Sequence, residues 1–153
     1  MRTNGNVKTL FMETTKIDAG QTVGEIQRIL GGYGATAIMT EYEKGEVAAV
    51  SFTVCIGGND VPFRLPCRYE AVHKFMMARM KKFREKRFDE YRAQSKRVAW
   101  RQVLRWIQAQ MALVETEMVT MQEVFLPYMR SKNGKTLYEM MEQNSFKMLE
   151  HKP

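Results

Sequence analysis

Residues that could act as acids, bases or nucleophiles are few and scattered in this chain of 153 residues. The two histidines are His73 and His151, and Glu70 lies three residues before His73, where both side chains would share one helix face. Carboxylates such as Asp18 and Asp60 fall in predicted turns and at strand ends, without the paired spacing of a two-metal nuclease. No GxSxG, HExxH, P-loop or GxGxxG sequence is present. We therefore expect a protein that is not an enzyme, with no catalytic residues, no metal site and no cofactor.

Cys55 and Cys67 are the two cysteines, and their spacing matches neither a CxxC motif nor a zinc site. We expect two buried, reduced thiols. Residues 1–20 contain no apolar signal core, and no run approaches the roughly 18 apolar residues of a membrane span. The sequence therefore predicts a soluble intracellular protein without a membrane partner.

The stretch from residue 74 to residue 106 concentrates the positive charge of the chain. It contains twelve Lys and Arg and three acidic residues, a net charge of +9, whereas the whole chain has +7. Such a local concentration of positive charge indicates a binding face for an anionic polymer. The alternative is that these residues form an ordinary solvated helix surface. Aromatic residues interleave with the basic ones, as base stacking on single-stranded nucleic acid requires.

We predict that these basic and aromatic residues bind nucleic acid, with single strands favoured over duplexes. Arg97, Arg101 and Arg105 follow at intervals of four residues and would share one helix face. Tyr91 and Trp106 are the candidate stacking groups, although Trp106 fits a core position equally well. The predicted site comprises Lys81, Lys82, Arg84, Lys86, Arg87, Tyr91, Arg97, Arg101, Arg105 and Trp106.

The first part of the chain is predicted to form a strand and then a short helix. Imperfect alternation predicts the strand at residues 7–14. Thr22 and Glu25 have the spacing of a capping box, in which each side chain bonds the other residue's backbone amide, so they predict the start of the helix. The glycines within residues 31–34 predict its end.

Three further strands are predicted to complete a sheet. Their bounds are 35–42, 47–56 and 61–66, separated by turns at 43–45 and 57–60. Alternation places Val50, Phe52, Val54, Ile56, Val61, Phe63 and Leu65 on the inward face. Pro62 and Pro66 lack amide donors, so the last strand is expected at an edge of the sheet.

Two long helices and a short one are predicted to follow. Apolar spacing indicates a first helix from Tyr69 to about Phe83, with a break somewhere within 87–96. The second helix carries an apolar seam with heptad spacing that extends to Phe125, and Pro127 ends it. This seam must be buried against the first helix, the sheet or another copy of the chain. It comprises Trp100, Leu104, Ile107, Met111, Val114 and Met118, followed by Met121 and Phe125.

These elements define an α+β fold with three parts. A small β-α-β-β-β sheet domain spans residues 1–66, a basic helical hairpin spans residues 67–130, and residues 131–153 form a tail with a short amphipathic C-terminal helix.

Several segments of the chain resemble those of a known family. They are TTKI (14–17), VGEIQRIL, GATAIM, AVSFTV, VPFRLP and, above all, RVAWRQVLRWIQAQMALVETEMVTMQEVFLPYM (97–129). Over about residues 7–130 the chain resembles small uncharacterised proteins encoded by bacteriophages and prophages. The resemblance implies a phage accessory protein in the cytoplasm of a bacterial host, acting in DNA replication and recombination or against a host defence system.

Three functions therefore remain open. The first is nucleic-acid binding through the basic helical face. The second is inhibition of a CRISPR-type defence nucleoprotein, in which basic residues grip a guide RNA or an acidic protein surface, because a DNA mimic would itself be acidic. The third is an oligomeric helical scaffold in which the heptad seam pairs copies of the chain.

Overall fold

The computed structural model of the chain describes residues 9–79 and 84–147 and has the predicted α+β fold. The elements are α1 (Ala19–Gly32), β1 (Ala35–Glu43), β2 (Glu46–Ile56), β3 (Asn59–Pro66), α2 (Tyr69–Ala78), α3 (Glu85–Glu115), α4 (Met121–Phe125), a 3-10 turn (Leu126–Tyr128) and α5 (Leu137–Gln143).

The three strands form an antiparallel sheet in the order β1-β2-β3. Each hairpin closes with a two-residue turn, Lys44-Gly45 in the first and Gly57-Gly58 in the second, and all four residues have positive φ. Turns of this kind match the right-handed twist of the strands, and glycine is suited to them because it adopts positive φ without steric cost. The predicted strands, their turns and the edge position of β3 are confirmed.

The strand predicted at residues 7–14 is wrong. Its first two residues lie outside the described part of the chain, and the others form no strand. This segment runs along α3 instead, because the side-chain amide of Gln94 donates to the Glu13 carbonyl oxygen and that of Gln102 donates to the Phe11 carbonyl oxygen, both at 2.8 Å.

Helix α1 begins three residues before the predicted capping box. Asp18 is the residue at its N-cap, so Thr22 lies inside the helix and is buried. The capping box at Thr22 and Glu25 is therefore wrong, and the side chains of both residues contact Arg101 on α3. The helix ends at Gly32 as the glycines predicted.

One hydrophobic core joins the inward face of the sheet to α1, α3 and α4. Its fully buried large side chains are Ile26, Leu30, Val50, Phe63, Trp100, Leu104, Ile107, Met111 and Phe125. The opposite face of the sheet carries a polar contact, because Glu41 accepts hydrogen bonds from Ser51 at 2.8 Å and from Arg64 at 3.0 Å.

Helices α2 and α3 form the predicted hairpin and run antiparallel. Tyr69 at the start of α2 contacts Arg92 on α3. His73, one turn later on α2, contacts Phe88, which lies one turn before Arg92 on α3. The break is misplaced in the prediction, because α3 is continuous through 87–96 and the interruption lies between the two helices. Most of that interruption, where the first helix was predicted to continue, lies outside the described residues.

The heptad seam is buried within a single chain over its first four residues. Val114 is half-buried and Met118 is 70 % exposed, because α3 ends at Glu115 and the chain then turns through Glu117, which has a φ of 61°. Met121 and Phe125 return to the core on α4, whose capping box is formed by Thr120 and Glu123. The continuous helix predicted across this region is wrong, and Met118 is not part of the seam.

The C-terminal helix α5 confirms the short helix predicted in the tail. Within the described residues, no helix is both long enough and apolar enough to cross a bilayer.

Candidate nucleic-acid interface

The predicted basic residues near the start of α3 are exposed, but they do not form one face. Arg84 is the residue at the N-cap of α3. Lys86 and Arg87 are consecutive residues of the helix and therefore do not share a face, and the Arg87 guanidinium pairs with Glu90 at 3.3 Å. Lys81 and Lys82 lie outside the described residues.

Arg101 is buried, with 4 % of its surface exposed. Its Nη1 donates to the Glu25 carboxylate at 3.0 Å and to the Thr22 hydroxyl at 3.4 Å. The middle of α3 passes through the core, so that Val98 and Trp100 are buried on either side of the helix as well. The prediction that Arg101 contacts phosphate is therefore wrong, because its charge is neutralised inside the fold.

The two arginines that flank Arg101 do not restore the predicted face. Arg97 is half-buried and donates to the Gln94 side chain at 2.9 Å, whereas Arg105 is exposed and donates to Gln108 at 2.8 Å. The spacing of four residues places the three arginines on one side of α3, but the fold covers the middle one. The continuous basic face predicted from the sequence is absent from the described part of α3.

Tyr91 and Arg97 line a cavity beside the N-terminal segment, and Arg79 is also part of the wall of this cavity. The carboxylate of Glu13 enters this cavity and pairs with Arg79. The side chains predicted to bind phosphate and base at this place therefore face a carboxylate of the same chain.

A different set of basic residues surrounds a cavity of about 350 Å³ between the sheet, α2 and α3. We call this cavity the cationic cavity. Five basic side chains line it from four parts of the fold: Lys44 in the β1–β2 turn, Arg64 on β3, Arg68 at the N-cap of α2, and Arg92 and Lys96 on α3.

Two of these five cations are neutralised by neighbouring carboxylates. Lys96 pairs with Glu46, and burial lowers the pKa of the Lys96 ammonium. Arg64 pairs with Glu41 at 3.0 Å.

The other three cations of the cavity, Lys44, Arg68 and Arg92, have no carboxylate at ion-pair distance within residues 9–79 and 84–147. Glu43 and Glu70 also line the cavity and reduce its net charge without pairing directly. The cavity therefore offers three basic groups that an incoming anion can contact.

The ring of Tyr69 orients two of the cations. The Arg92 guanidinium donates to the Tyr69 hydroxyl at 3.3 Å and lies 6.0 Å from the ring centroid. The Lys96 ammonium lies 5.1 Å from the same centroid. Cation–π contacts at these distances are modest individually, but together with the hydrogen bond they hold the two side chains at the cavity wall.

An apolar groove of about 290 Å³ lies next to the cationic cavity. We call it the aromatic groove, and it is lined by Leu65, Pro66, Gln102, Val103, Trp106 and Tyr128. The half-buried Trp106 ring packs edge-to-face against Phe125 at 5.7 Å and Tyr128 at 5.9 Å, so it belongs to both the core and the groove wall. Pro66 lines the groove and the cationic cavity alike.

The two cysteines differ in their exposure. Cys55 is exposed on the outer face of β2, which corrects the expectation of two buried thiols, whereas Cys67 is buried. Burial raises the pKa of the Cys67 thiol to about 12, so this thiol is protonated at neutral pH. His73, the histidine considered for catalysis, contacts the carbonyl oxygen of Phe88 at 3.1 Å.

Comparisons with protein-family models, with curated proteins and with solved structures found no match to this chain.

Proposed function

We propose that this protein binds nucleic acid without catalysing a reaction, and that the cationic cavity receives phosphates of the nucleic-acid backbone. The observation that supports this proposal best is the convergence of five basic side chains from four parts of the fold on one cavity. Side chains so far apart in sequence meet here because the β1–β2 turn and the start of α2 both pack beside α3.

The residue types of the cavity suit a phosphate ligand. Arg68 and Arg92 present guanidinium groups, whose planar array of donors matches two phosphate oxygens at once. Lys44 adds a compact charge that can approach a third oxygen. The acidic residues Glu43 and Glu70 weaken the field, so the proposal requires direct phosphate contacts rather than attraction at long range.

The biological setting belongs to the same proposal. The resemblance to small bacteriophage proteins supports an accessory role in a phage-infected bacterium, in the replication or recombination of DNA. Inhibition of a host defence nucleoprotein would use the same cavity, because a guide RNA presents the same phosphates. Plaque recovery on defended hosts, followed by isolation of the bound complex, distinguishes this second setting from the first.

The oligomeric scaffold, the third alternative, requires an exposed apolar seam on α3. The seam residues Trp100, Leu104, Ile107 and Met111 are buried within one chain, so they are not available to pair with a second copy.

Fluorescence anisotropy with labelled single-stranded and double-stranded DNA and RNA tests the proposal. Three phosphate contacts on a single strand predict that log Kd rises by about 2 for each tenfold increase in salt concentration. Absence of binding to all four ligands at low salt would refute nucleic-acid binding, and binding that is independent of salt would refute the role of the cationic cavity.

A further inference from the structure

We infer that the aromatic groove accepts an unpaired nucleobase while an adjoining phosphate occupies the cationic cavity, so that the protein selects single strands over duplexes. This inference rests on the proposed function, because it assigns the part of the nucleic acid that lies beside the bound phosphate.

The lining of the groove suits a flat and largely apolar ligand. Two aromatic rings, Trp106 and Tyr128, form part of its wall together with the apolar side chains of Leu65, Pro66 and Val103. Nucleobases stack on aromatic side chains whatever their sequence, because every base presents a π face. A groove of about 290 Å³ admits one such ring system.

Gln102 contributes a side-chain amide to the groove wall. Its Nε2 donates to the Phe11 carbonyl oxygen at 2.8 Å, which fixes the orientation of the amide. The Gln102 Oε1 then remains as an acceptor for a donor on a base edge.

The position of the groove favours a nucleotide over an uncharged apolar ligand. Pro66 forms part of the walls of both the groove and the cationic cavity, so the two sites are adjacent on the surface. A nucleotide joins a π face to an anion, and these are the two chemical features that the neighbouring sites complement.

A duplex cannot use the groove in the same way. Its bases are paired and stacked on one another, and extracting one base costs a few kcal/mol. Duplexes would therefore contact the cationic cavity alone and bind more weakly than a single strand that has the same number of phosphates.

The test uses the wild-type chain and two oligonucleotides, a ten-residue oligo(dT) and an abasic ten-mer with the same phosphates. One stacked base predicts binding of oligo(dT) that is roughly 5- to 150-fold tighter. Tryptophan emission should be quenched by oligo(dT) and not by the abasic strand, because Trp106 lines the groove whereas Trp100 is buried.

Variants identify the groove as the source of the preference. Trp106→Leu should bind the two strands equally and keep the wild-type salt dependence. Tyr128→Leu should reduce the preference as well, which provides a second variant if the loss of the Trp106 contact with Phe125 prevents folding. Tyr42→Leu, an exposed ring on β1, should keep the full preference as the matched control.

The outcomes separate the inference from the function on which it rests. Equal affinity of the wild-type chain for oligo(dT) and the abasic strand, or tighter binding of a matched duplex, overturns the inference and leaves phosphate binding intact. Failure to bind either strand at low salt overturns both.

Discussion

The guanidinium of Arg101 lies 3.0 Å from the carboxylate of Glu25, and this ion pair joins the middle of α3 to α1. The sequence had indicated a phosphate contact for Arg101 and a helix cap for Glu25. Each residue instead neutralises the other where two helices meet, so part of the positive charge counted in α3 stabilises the fold and is not presented to a ligand.

We predict that Glu25→Gln destabilises the protein by roughly 1–3 kcal/mol. The substitution leaves the buried Arg101 charge with a neutral acceptor, and a buried charge that loses its counter-ion is costly. Because Glu25 retains some exposure, the cost should fall below that of a fully buried pair. The midpoint of urea denaturation measures the change.

The same variant separates a structural from a binding role for this pair. Affinity for oligo(dT) should stay unchanged in Glu25→Gln under conditions where the chain is folded, because Arg101 is not accessible to the ligand. Unchanged stability together with altered affinity would contradict this account of the pair.

Ile107→Asp is expected to destabilise the chain by roughly 4 kcal/mol or more, because it places an unpaired carboxylate at a fully buried position. Met118→Asp, at a later position of the same predicted seam, should change stability by less than about 0.5 kcal/mol, because Met118 is exposed. Thermal unfolding compares the two variants. Similar costs at both positions would indicate that the seam continues beyond α3.

The two thiols should react at very different rates. In the folded protein at pH 8, a disulfide reagent such as DTNB should modify the exposed Cys55 quickly and Cys67 only on unfolding. Cys55→Ser should then show almost no fast reaction. Fast modification of two thiols in the native wild-type protein would show that Cys67 is accessible.

Because the pKa of Cys67 is raised in the folded protein, the free energy of unfolding should fall as the pH rises through the alkaline range. The folded thiol has a pKa of about 12 against an ordinary value of 9.0. Above pH 9 the unfolded chain therefore loses this proton first, and the contribution of Cys67 to stability declines as the pH rises towards 12. Cys67→Ala should show a smaller decline than the wild-type chain in urea denaturation at increasing alkaline pH, and equal declines would contradict the assignment.

Local sequence signals predicted the sheet well. Alternation identified the inward residues of β2 and β3, and the glycines marked both hairpin turns because these turns require positive φ. The start of α1 and the end of α3 were missed for a different reason. Thr22 and Glu25 have the spacing of a capping box but lie inside α1. The capping box at Thr120 and Glu123 begins α4 within an apolar spacing that is regular in the sequence, so the spacing alone predicts one continuous helix.

The cationic cavity could not be predicted from the distribution of charge along the chain. Lys44, Arg64 and Arg68 lie before the basic stretch, and only the packing of the sheet against the helical hairpin brings them to Arg92. Alternation did place Arg64 on the outward face of its strand, but no local signal indicates what lies opposite that face. Tertiary contacts between distant segments decide such a site, and the count of basic residues in one helix does not.

The salt dependence of oligo(dT) binding by the double variant Arg68→Gln/Arg92→Gln tests the central claim most directly. Both side chains are exposed at the cavity and neither forms an ion pair within the described residues, so the variant should fold normally. Loss of two phosphate contacts predicts that the slope of log Kd against log salt falls by about 1.4, whereas Arg28→Gln, an exposed arginine on α1, should leave the slope unchanged. A double variant with the wild-type slope and affinity would show that the cationic cavity does not hold the nucleic acid.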